Sequence, residues 1–242
     1  MVLLACIVMN ASAQFSNSGS KDATVGDNSG WSAVYIEWNP SNLAFSGNKR
    51  EKVDFYGSFN GFSLGFSKAV LLTSKIPLFV ETGLAGQYSC KSETNEHSYC
   101  EESTKFSMLS LKVPVNIMYK FDIPNSTVSL IPFAGVTLRG NVWGKMKWEE
   151  YDYDWDERDD YSSSLFDNDD MQYLVGYHLL DDEYNYRDID FAWKRIQIGW
   201  QIGLKTIIAE KFIVGASYGT DFNKTAPNYK INTGTILLGY SF

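Results

Sequence analysis

The sequence predicts an all-β fold, an eight-stranded antiparallel transmembrane β-barrel with short periplasmic turns and long extracellular loops. Three observations lead to this prediction. Alternate apolar residues recur from residue 31 onward, small or polar residues occupy the opposite face of the same segments, and short connections alternate with long polar ones. Aromatic residues make up 15% of the chain, which suits a protein that needs aromatic belts at two membrane interfaces.

The N-terminal residues have the pattern of an export signal. An apolar run over residues 2–9 precedes Ala11-Ser12-Ala13, and a short apolar core before Ala-x-Ala is typical of a secretory signal cleaved after Ala13. A buried strand and a lipoprotein signal at Cys6 are the alternative interpretations. We expect residues 1–13 to be removed, residues 14–29 to form a short periplasmic segment and residues 30–242 to form the barrel.

Eight segments have the alternation and the length of about ten residues with which a tilted strand crosses a bilayer. The clearest segment places five apolar residues, from Ile196 to Leu204, on one face and glycine, glutamine and basic residues on the other. Short connections follow the second, fourth and sixth segments, and longer polar ones follow the odd segments. The predicted strands are residues 31–38, 55–67, 77–89, 106–121, 128–142, 192–207, 212–221 and 231–242.

Small residues indicate which face of each strand points inward. In the second segment Gly61, Ser63, Gly65 and Ser67 alternate with apolar residues. Glycine weakens a strand and packs nothing, whereas a narrow lumen needs small side chains, so the apolar face should meet lipid. Charges of both signs on the inner face should then pair and plug the lumen, with a gated conduit as the alternative. The predicted lumen charges are Glu37, Glu81, Lys112, Arg139, Arg195 and Lys205.

Two cysteines remain if the signal is removed. Cys90 and Cys100 flank a polar segment, and an even pair in an oxidising compartment predicts a disulfide, with two free thiols as the alternative. A metal centre would need more ligands than the nearby His97, so we expect no metal site.

The fifth and sixth strands are joined by a strongly acidic segment, residues 143–191, that we expect to be an extracellular loop. Residues 149–190 hold sixteen Asp or Glu against two Arg, while the whole chain has a net charge of only −8. The acidity therefore belongs to this loop, and nucleic-acid binding is not expected. Tyrosines and Trp155 interleave with the acids. This composition predicts a solvated, partly flexible loop. The alternatives are a surface that binds a cationic or sugar-like partner and an adhesive surface.

Alternate carboxylates in this loop have the spacing of a calcium-binding loop. Asp152, Asp154 and Asp156 alternate, but an EF-hand needs glycine at the sixth position and glutamate at the twelfth. Those positions are Glu157 and Ser163, so an EF-hand is excluded. We expect weak binding of divalent cations at most, at a cluster that also includes Asp159 and Asp160.

Three motifs resemble the small outer-membrane β-barrel family of OmpA/OmpX type, including the porin-like outer membrane β-barrel domain of Bacteroidetes. They are Ala11-Ser12-Ala13-Gln14, the segment from Gly61 to Lys68 (GFSLGFSK) and the ending Gly239-Tyr240-Ser241-Phe242. The resemblance covers residues 31–242. It implies that the barrel-assembly machinery recognises Tyr240 and Phe242, with Thr235 at the polar position of the signal. Leu237 stands where the family usually has glycine.

The resemblance and the composition together predict a monomeric protein of the bacterial outer membrane, in contact with its lipid and without a cofactor. We expect a non-enzymatic structural or surface-interaction role through the extracellular loops, and no catalytic residues. A narrow porin-like channel for small solutes is one alternative. A lipid-modifying barrel enzyme is another, and His97 and Ser98 with Glu101 or Glu102 would be its residues.

Overall fold

The structure, a computed structural model, describes residues 30–47, 56–98, 100–153, 155–178 and 191–242. The expected signal and N-terminal segment lie outside these residues. Eleven strands and one helix form the described part of the chain. They are β1 (Ser32–Trp38), β2 (Ser41–Phe45), β3 (Ser58–Leu71), β4 (Leu78–Glu96), β5 (Cys100–Tyr119), β6 (Phe121–Asp122), β7 (Val128–Asp152), β8 (Glu157–Ser164), α1 (Asn168–His178), β9 (Ile196–Ile208), β10 (Phe212–Asp221) and β11 (Tyr229–Ser241).

Eight of these strands close into a ring, which confirms the predicted fold class. The order of neighbours is β1, β11, β10, β9, β7, β5, β4 and β3, and β3 pairs back onto β1. Every pairing is antiparallel, and the closing register sets Ala33 opposite Ser67 and Trp38 opposite Phe62. Closure leaves these eight strands without a free edge, as a bilayer requires of a spanning sheet.

The connections are sorted between the two ends of the barrel. Short turns join β3 to β4, β5 to β7 and β9 to β10 at one end of the barrel. The first and last strands also meet at this end, where Ser32 N donates to Phe242 O. Short turns are periplasmic in such barrels and long loops extracellular. No helix among the described residues is long and apolar enough to cross a membrane.

The outward and inward faces follow the predicted alternation. On β9, Ile198, Ile202 and Leu204 are exposed at the outer wall, whereas Gln197 is completely buried inside. Side chains alternate along each strand, so one period-two pattern gives the barrel its lipid-facing wall and its lumen.

The interior is divided into three layers along the barrel. An apolar cluster around Tyr35, Phe79 and Phe133 fills the periplasmic end, a second and larger cluster covers the extracellular end, and paired polar residues lie between them. Gly65 shows why the inner wall needs small residues, since a Cβ there would lie only 2.4 Å from the Tyr35 ring.

The largest departure from prediction lies above the membrane. The expected loop after residue 142 is instead a continuation of β7 to Asp152, followed by β8 and α1, and β4 and β5 also extend beyond their predicted ends. Beyond Gly140, β7 exchanges its partner β9 for β8. The alternation of apolar and polar residues does not show where a strand leaves the membrane and continues in water. The strands predicted from it were therefore too short.

The β9–β10 turn offers a stabilising substitution. Lys211 N donates to Ile208 O at 3.2 Å, and the two residues between them, Ala209 and Glu210, have positive φ, 51° and 60°. The central residues of a type I′ turn require positive φ, and a non-glycine residue there costs about 1–2 kcal/mol. The double substitution Ala209→Asn with Glu210→Gly should therefore raise the free energy of unfolding by about 1 kcal/mol or more, as measured by urea titration in detergent micelles. The reversed pair, Ala209→Gly with Glu210→Asn, is the control and should gain less stability. If the first variant is no more stable than the wild type, the assignment of a type I′ turn is wrong.

Candidate functional site

The periplasmic half of the polar layer is organised by Glu81 on β4. Lys205 on β9 donates from Nζ to Glu81 Oε1 at 2.7 Å, and its ammonium lies 4.9 Å from the Phe133 ring centre. Asn116 and Ser67 donate to the same carboxylate at 2.9 and 3.0 Å. The pair therefore spans the lumen with its charge and its lone pairs satisfied.

A second ion pair lies next to the first. Lys112 Nζ donates to Glu37 at 2.6 Å and to Asn39 Oδ1 at 3.3 Å. Asn39 also donates to Ser63 at 2.7 Å and accepts from Thr235 at 3.1 Å. This network ties β1, β3, β5 and β11 together through side chains alone.

The third pair corrects one sequence expectation. Arg139 donates twice from one nitrogen to Asp221, at 2.7 and 2.6 Å. Asp221 was not among the predicted lumen residues, because it ends its strand. Arg195 was predicted to face the lumen, which is wrong: it precedes β9, is exposed, and lies 4.3 Å from the Phe166 ring centre outside the barrel.

The space left between these side chains is small. Two lumen cavities of about 40 and 50 Å³ adjoin at Lys112, Thr137 and Gln201. A water needs about 10–15 Å³ of such volume, so each cavity holds only a few waters. Arg139 Nε and Thr137 Oγ1 lack a protein partner among the described residues and are natural sites for them.

The extracellular end is covered by a folded cap rather than by an open loop. Asp167 Oδ1 accepts from the backbone N–H of Asp169 and Asp170, which caps the N-terminus of α1. Leu165, Met171 and Leu174 are fully buried under the cap. A Cβ at Gly144 would lie 2.7 Å from Leu165 Cδ1, so this glycine lets the cap approach β7 closely.

Aromatic residues join this cap to the barrel. Trp193 lies between Tyr56 and Phe106, with ring centres 5.7 and 5.1 Å away, and its Nε1 donates to Tyr56 Oη at 3.1 Å. Burial raises the pKa of Tyr56 well above its usual value, so this phenol stays neutral. The apolar surface of the cap is therefore buried against the mouth of the barrel, which it closes.

Above the cap, β4, β5, β7 and β8 form a protruding sheet, which we call the extracellular blade. From Trp143 to Asp152, β7 rises about 30 Å at the usual strand spacing. Cations surround Glu149 on the blade: Lys105, Lys147 and Arg158 lie 2.6, 2.7 and 3.0 Å from its carboxylate. Hydrogen bonds from Lys105 and Lys147 lower the pKa of Glu149 to about 2.

The tip of the blade exposes aromatic rings far from the lipid-facing wall. Trp155 is 77% exposed, Tyr153 46% and Tyr151 38%. Tyr151 and Tyr153 pack edge to face at 5.6 Å. Such rings are ordinary at a membrane interface, but these lie in water, where exposed aromatic patches mark interaction surfaces.

The four predicted acidic-loop residues that the structure describes, Asp152, Asp156, Asp159 and Asp160, do not converge on one point. Asp152 accepts from the Trp155 backbone N–H at 3.2 Å, and Asp156 accepts from the Tyr151 hydroxyl. Asp159 and Asp160 are successive residues of β8 and so point to opposite faces, with Asp160 3.0 Å from Lys147. Asp154 lies outside the described residues.

The predicted disulfide is not formed in the structure, where Cys90 and Cys100 are both free. Cys90 pairs with Ser107, seven residues along β5 from Cys100. That offset is about 24 Å at the usual strand spacing, well beyond disulfide reach. Spacing in the sequence suggested a loop closed at its base, whereas the segment is a continuous hairpin.

Cys100 instead lies near Glu102 and Glu150, with their ligand atoms within 4.8 Å of one another. Burial and a hydrogen bond to Glu150 raise the pKa of the Cys100 thiol. The raised pKa keeps the thiol protonated, and in this form it donates to a carboxylate. Metal binding would need the thiolate instead.

The residues of the enzyme alternative lie at the turn between β4 and β5. His97 and Ser98 are exposed, and His97 follows Cys90 by seven residues, about 24 Å along the strand. A membrane lipid bound at the barrel wall would therefore be distant from them. The side chain of His178 lies outside the described residues.

Tyr240 and Phe242, the residues of the expected assembly signal, lie at the end of the barrel where its two chain termini meet. Both face outward at the periplasmic end, and Tyr240 packs 5.8 Å from Phe212 while Phe242 packs 6.4 Å from Phe66. Leu237, the departure from the family pattern, is buried inside the periplasmic apolar cluster. Its size is used for packing where glycine would leave space.

Comparison with known families gives one match over nearly the whole chain. The model of the outer membrane protein beta-barrel domain family matches residues 2–242. A search of curated protein sequences finds no match.

Solved structures add more distant likenesses. The attachment invasion locus protein Ail of Yersinia pestis is 16% identical, with 88% of this chain and 99% of Ail covered, at a TM-score of 0.38. Neisserial surface protein A is 14% identical, with 87% and 95% covered, at a TM-score of 0.37. The N-terminal β-barrel domain of OprF from Pseudomonas aeruginosa is 14% identical, with 88% and 99% covered, at a TM-score of 0.29.

Proposed function

Because the chain belongs to the outer membrane protein beta-barrel domain family and so lies in the bacterial outer membrane, we propose that it is a closed barrel that holds an extracellular binding surface away from the membrane. The binding surface is the tip of the blade, and its partner carries positive charge. The role is non-enzymatic, and an export signal ending at Ala13 would deliver the chain to the membrane.

Exposure of Trp155, Tyr153 and Tyr151 is the observation that carries this proposal. Trp193 and Phe106, by contrast, are buried beneath the cap. Residues 149–160 add eight Asp or Glu and a single Arg to the same hairpin. Aromatic faces attract cations, and carboxylates beside them strengthen that preference.

The lumen supports a scaffold role over the channel alternative. Three ion pairs cross it, apolar clusters fill both ends, and its cavities hold only a few waters each. An eight-stranded barrel has an interior that side chains can fill. We therefore expect no steady conductance in planar bilayers.

Binding of an arginine-rich peptide to the purified, folded barrel tests the proposed role. Replacing Tyr153 and Trp155 by alanine should weaken binding about tenfold, because each exposed cation–π contact contributes about 0.5–1 kcal/mol. High salt should weaken binding of the peptide to the wild-type protein, because salt screens the attraction between the charges. The matched control is Phe222→Ala, which removes an extracellular aromatic residue that is 55% exposed outside the blade. Equal affinity of the tip variant and the wild type would overturn the proposal.

A further inference from the structure

A groove of about 670 Å³ opens on the outer wall where β3 begins, beside β1 and β4. Trp38 and Phe62 line its apolar side and are 43% and 60% exposed. The polar side chains Ser58, Asn60 and Ser92 line the rest of it. The groove therefore presents an apolar surface and a polar surface to the same occupant.

The groove lies where the outer wall changes character. Along β3 the outward residues are Phe62, Leu64 and Phe66 toward the periplasm, and Asn60 and Ser58 toward the exterior. The adjacent strand β4 changes in the same direction, from Leu84 and Tyr88 to Ser92. Such a change marks the interface between acyl chains and headgroups, here on the extracellular side.

Hydrogen bonding within the groove leaves polar groups available to an occupant. Trp38 Nε1 donates to Asn60 Oδ1 at 3.2 Å, which orients the amide and leaves its NH₂ group as a donor. The Ser58 and Ser92 hydroxyls make no side-chain hydrogen bond within the described part of the chain. Each hydroxyl can both donate and accept.

The charge of the groove is balanced. The cation that lines it, Lys91, is 2.6 Å from Glu93, so the pair offers little net attraction to a phosphate. A sugar has hydroxyl groups that form hydrogen bonds and an apolar ring face that stacks on an aromatic side chain. The uncharged hydroxyl, amide and aromatic groups of the groove suit both.

We propose that this groove binds the sugar headgroup of an outer-leaflet glycolipid, whose acyl chain continues along Phe62 and Leu64. The ring of the sugar would stack on Trp38, and its hydroxyls would bond with Ser58, Asn60 and Ser92. Continuity of the groove with the lipid-facing wall selects a membrane lipid over a soluble sugar. This site is separate from the blade tip and does not depend on the function proposed for it.

Quenching of tryptophan fluorescence by brominated lipids tests the proposal. The folded protein is placed in phosphatidylcholine nanodiscs with a minor fraction of either a dihexosyl diacylglycerol or phosphatidylcholine, each with the same brominated chains. Trp38→Phe should remove most of the quenching by the brominated glycolipid. Trp200→Phe, which removes a tryptophan of the lipid-facing wall on β9 with similar exposure, 36% against 43%, should remove little of it.

A second variant tests the headgroup contacts without touching the aromatic residues. Ser58→Ala with Ser92→Ala should raise the glycolipid fraction needed for half-maximal quenching about tenfold, the loss expected for two ordinary hydrogen bonds. Heat-dependent gel mobility verifies that each variant is folded. Equal quenching of Trp38 by the two brominated lipids would mean ordinary contact with bilayer lipid, and unaltered quenching in the serine variant would mean no headgroup recognition; either result overturns the proposal.

Discussion

Replacing Lys205 by methionine should lower the free energy of unfolding by about 3–5 kcal/mol, the usual cost of leaving a buried charge without its partner. Glu81 is 3% exposed, and Lys205 is its only cationic partner within the described residues. The hydrogen bonds from Ser67 and Asn116 remain, but they do not neutralise the carboxylate. Urea titration of the refolded barrel, followed by tryptophan fluorescence, measures the loss.

A second substitution separates charge from packing in this prediction. Glu81→Gln combined with Lys205→Met removes the unpaired charge while the amide oxygen still accepts from Asn116, so most of the stability should return. Lys147→Met is the surface control: it breaks the pairs with Glu149 and Asp160 on the blade and should cost less than about 1 kcal/mol. A loss below about 1 kcal/mol in Lys205→Met would show that water solvates Glu81 in the lumen.

Replacing Trp193 by alanine should release the cap while the barrel stays folded. The side chain is 3% exposed and lies against Tyr56 and Phe106. Truncating a buried tryptophan costs about 3–5 kcal/mol. Because the strand ladder of the barrel does not include Trp193, the cost should fall on the cap, and α1 should become open to proteolysis.

Limited proteolysis and hydrogen exchange distinguish cap release from global unfolding. In Trp193→Ala, cleavage near α1 should be fast while unheated protein retains its compact mobility on gels. Trp155→Ala, which truncates an exposed tryptophan at the blade tip, should leave cleavage near α1 unchanged. Loss of compact mobility in Trp193→Ala would mean that cap and barrel unfold as one unit.

The sequence predicted the ring well because strands whose residues alternate between apolar and small or polar side chains can cross a bilayer only as a closed barrel. Apolar residues such as Ile198, Ile202 and Leu204 can only face lipid once small residues occupy the opposite face. The periplasmic turns were equally readable, since polar residues interrupt the alternation within a short stretch.

The same patterns were less informative outside the membrane and inside the lumen. In the cap, Met171, Leu174 and Val175 are buried by contacts with distant strands, and α1 has too short an apolar stripe to stand out in an acidic segment. In the lumen, alternation placed Lys205 and Arg139 inside but could not identify their partners. Asp221 pairs with Arg139 across 82 residues of sequence, a relation that only the closed ring creates.

The filled lumen also constrains the order in which the protein can be assembled. Cavities of about 40 and 50 Å³ cannot admit a passing polypeptide, so the acidic segment from residue 143 to residue 191 must cross the membrane before the ring closes. The seam between β1 and β11 joins the two ends of the barrel, and the pairing of these two strands closes the ring. The blade is therefore exported first, with the most acidic part of the chain, and the barrel wall closes afterwards.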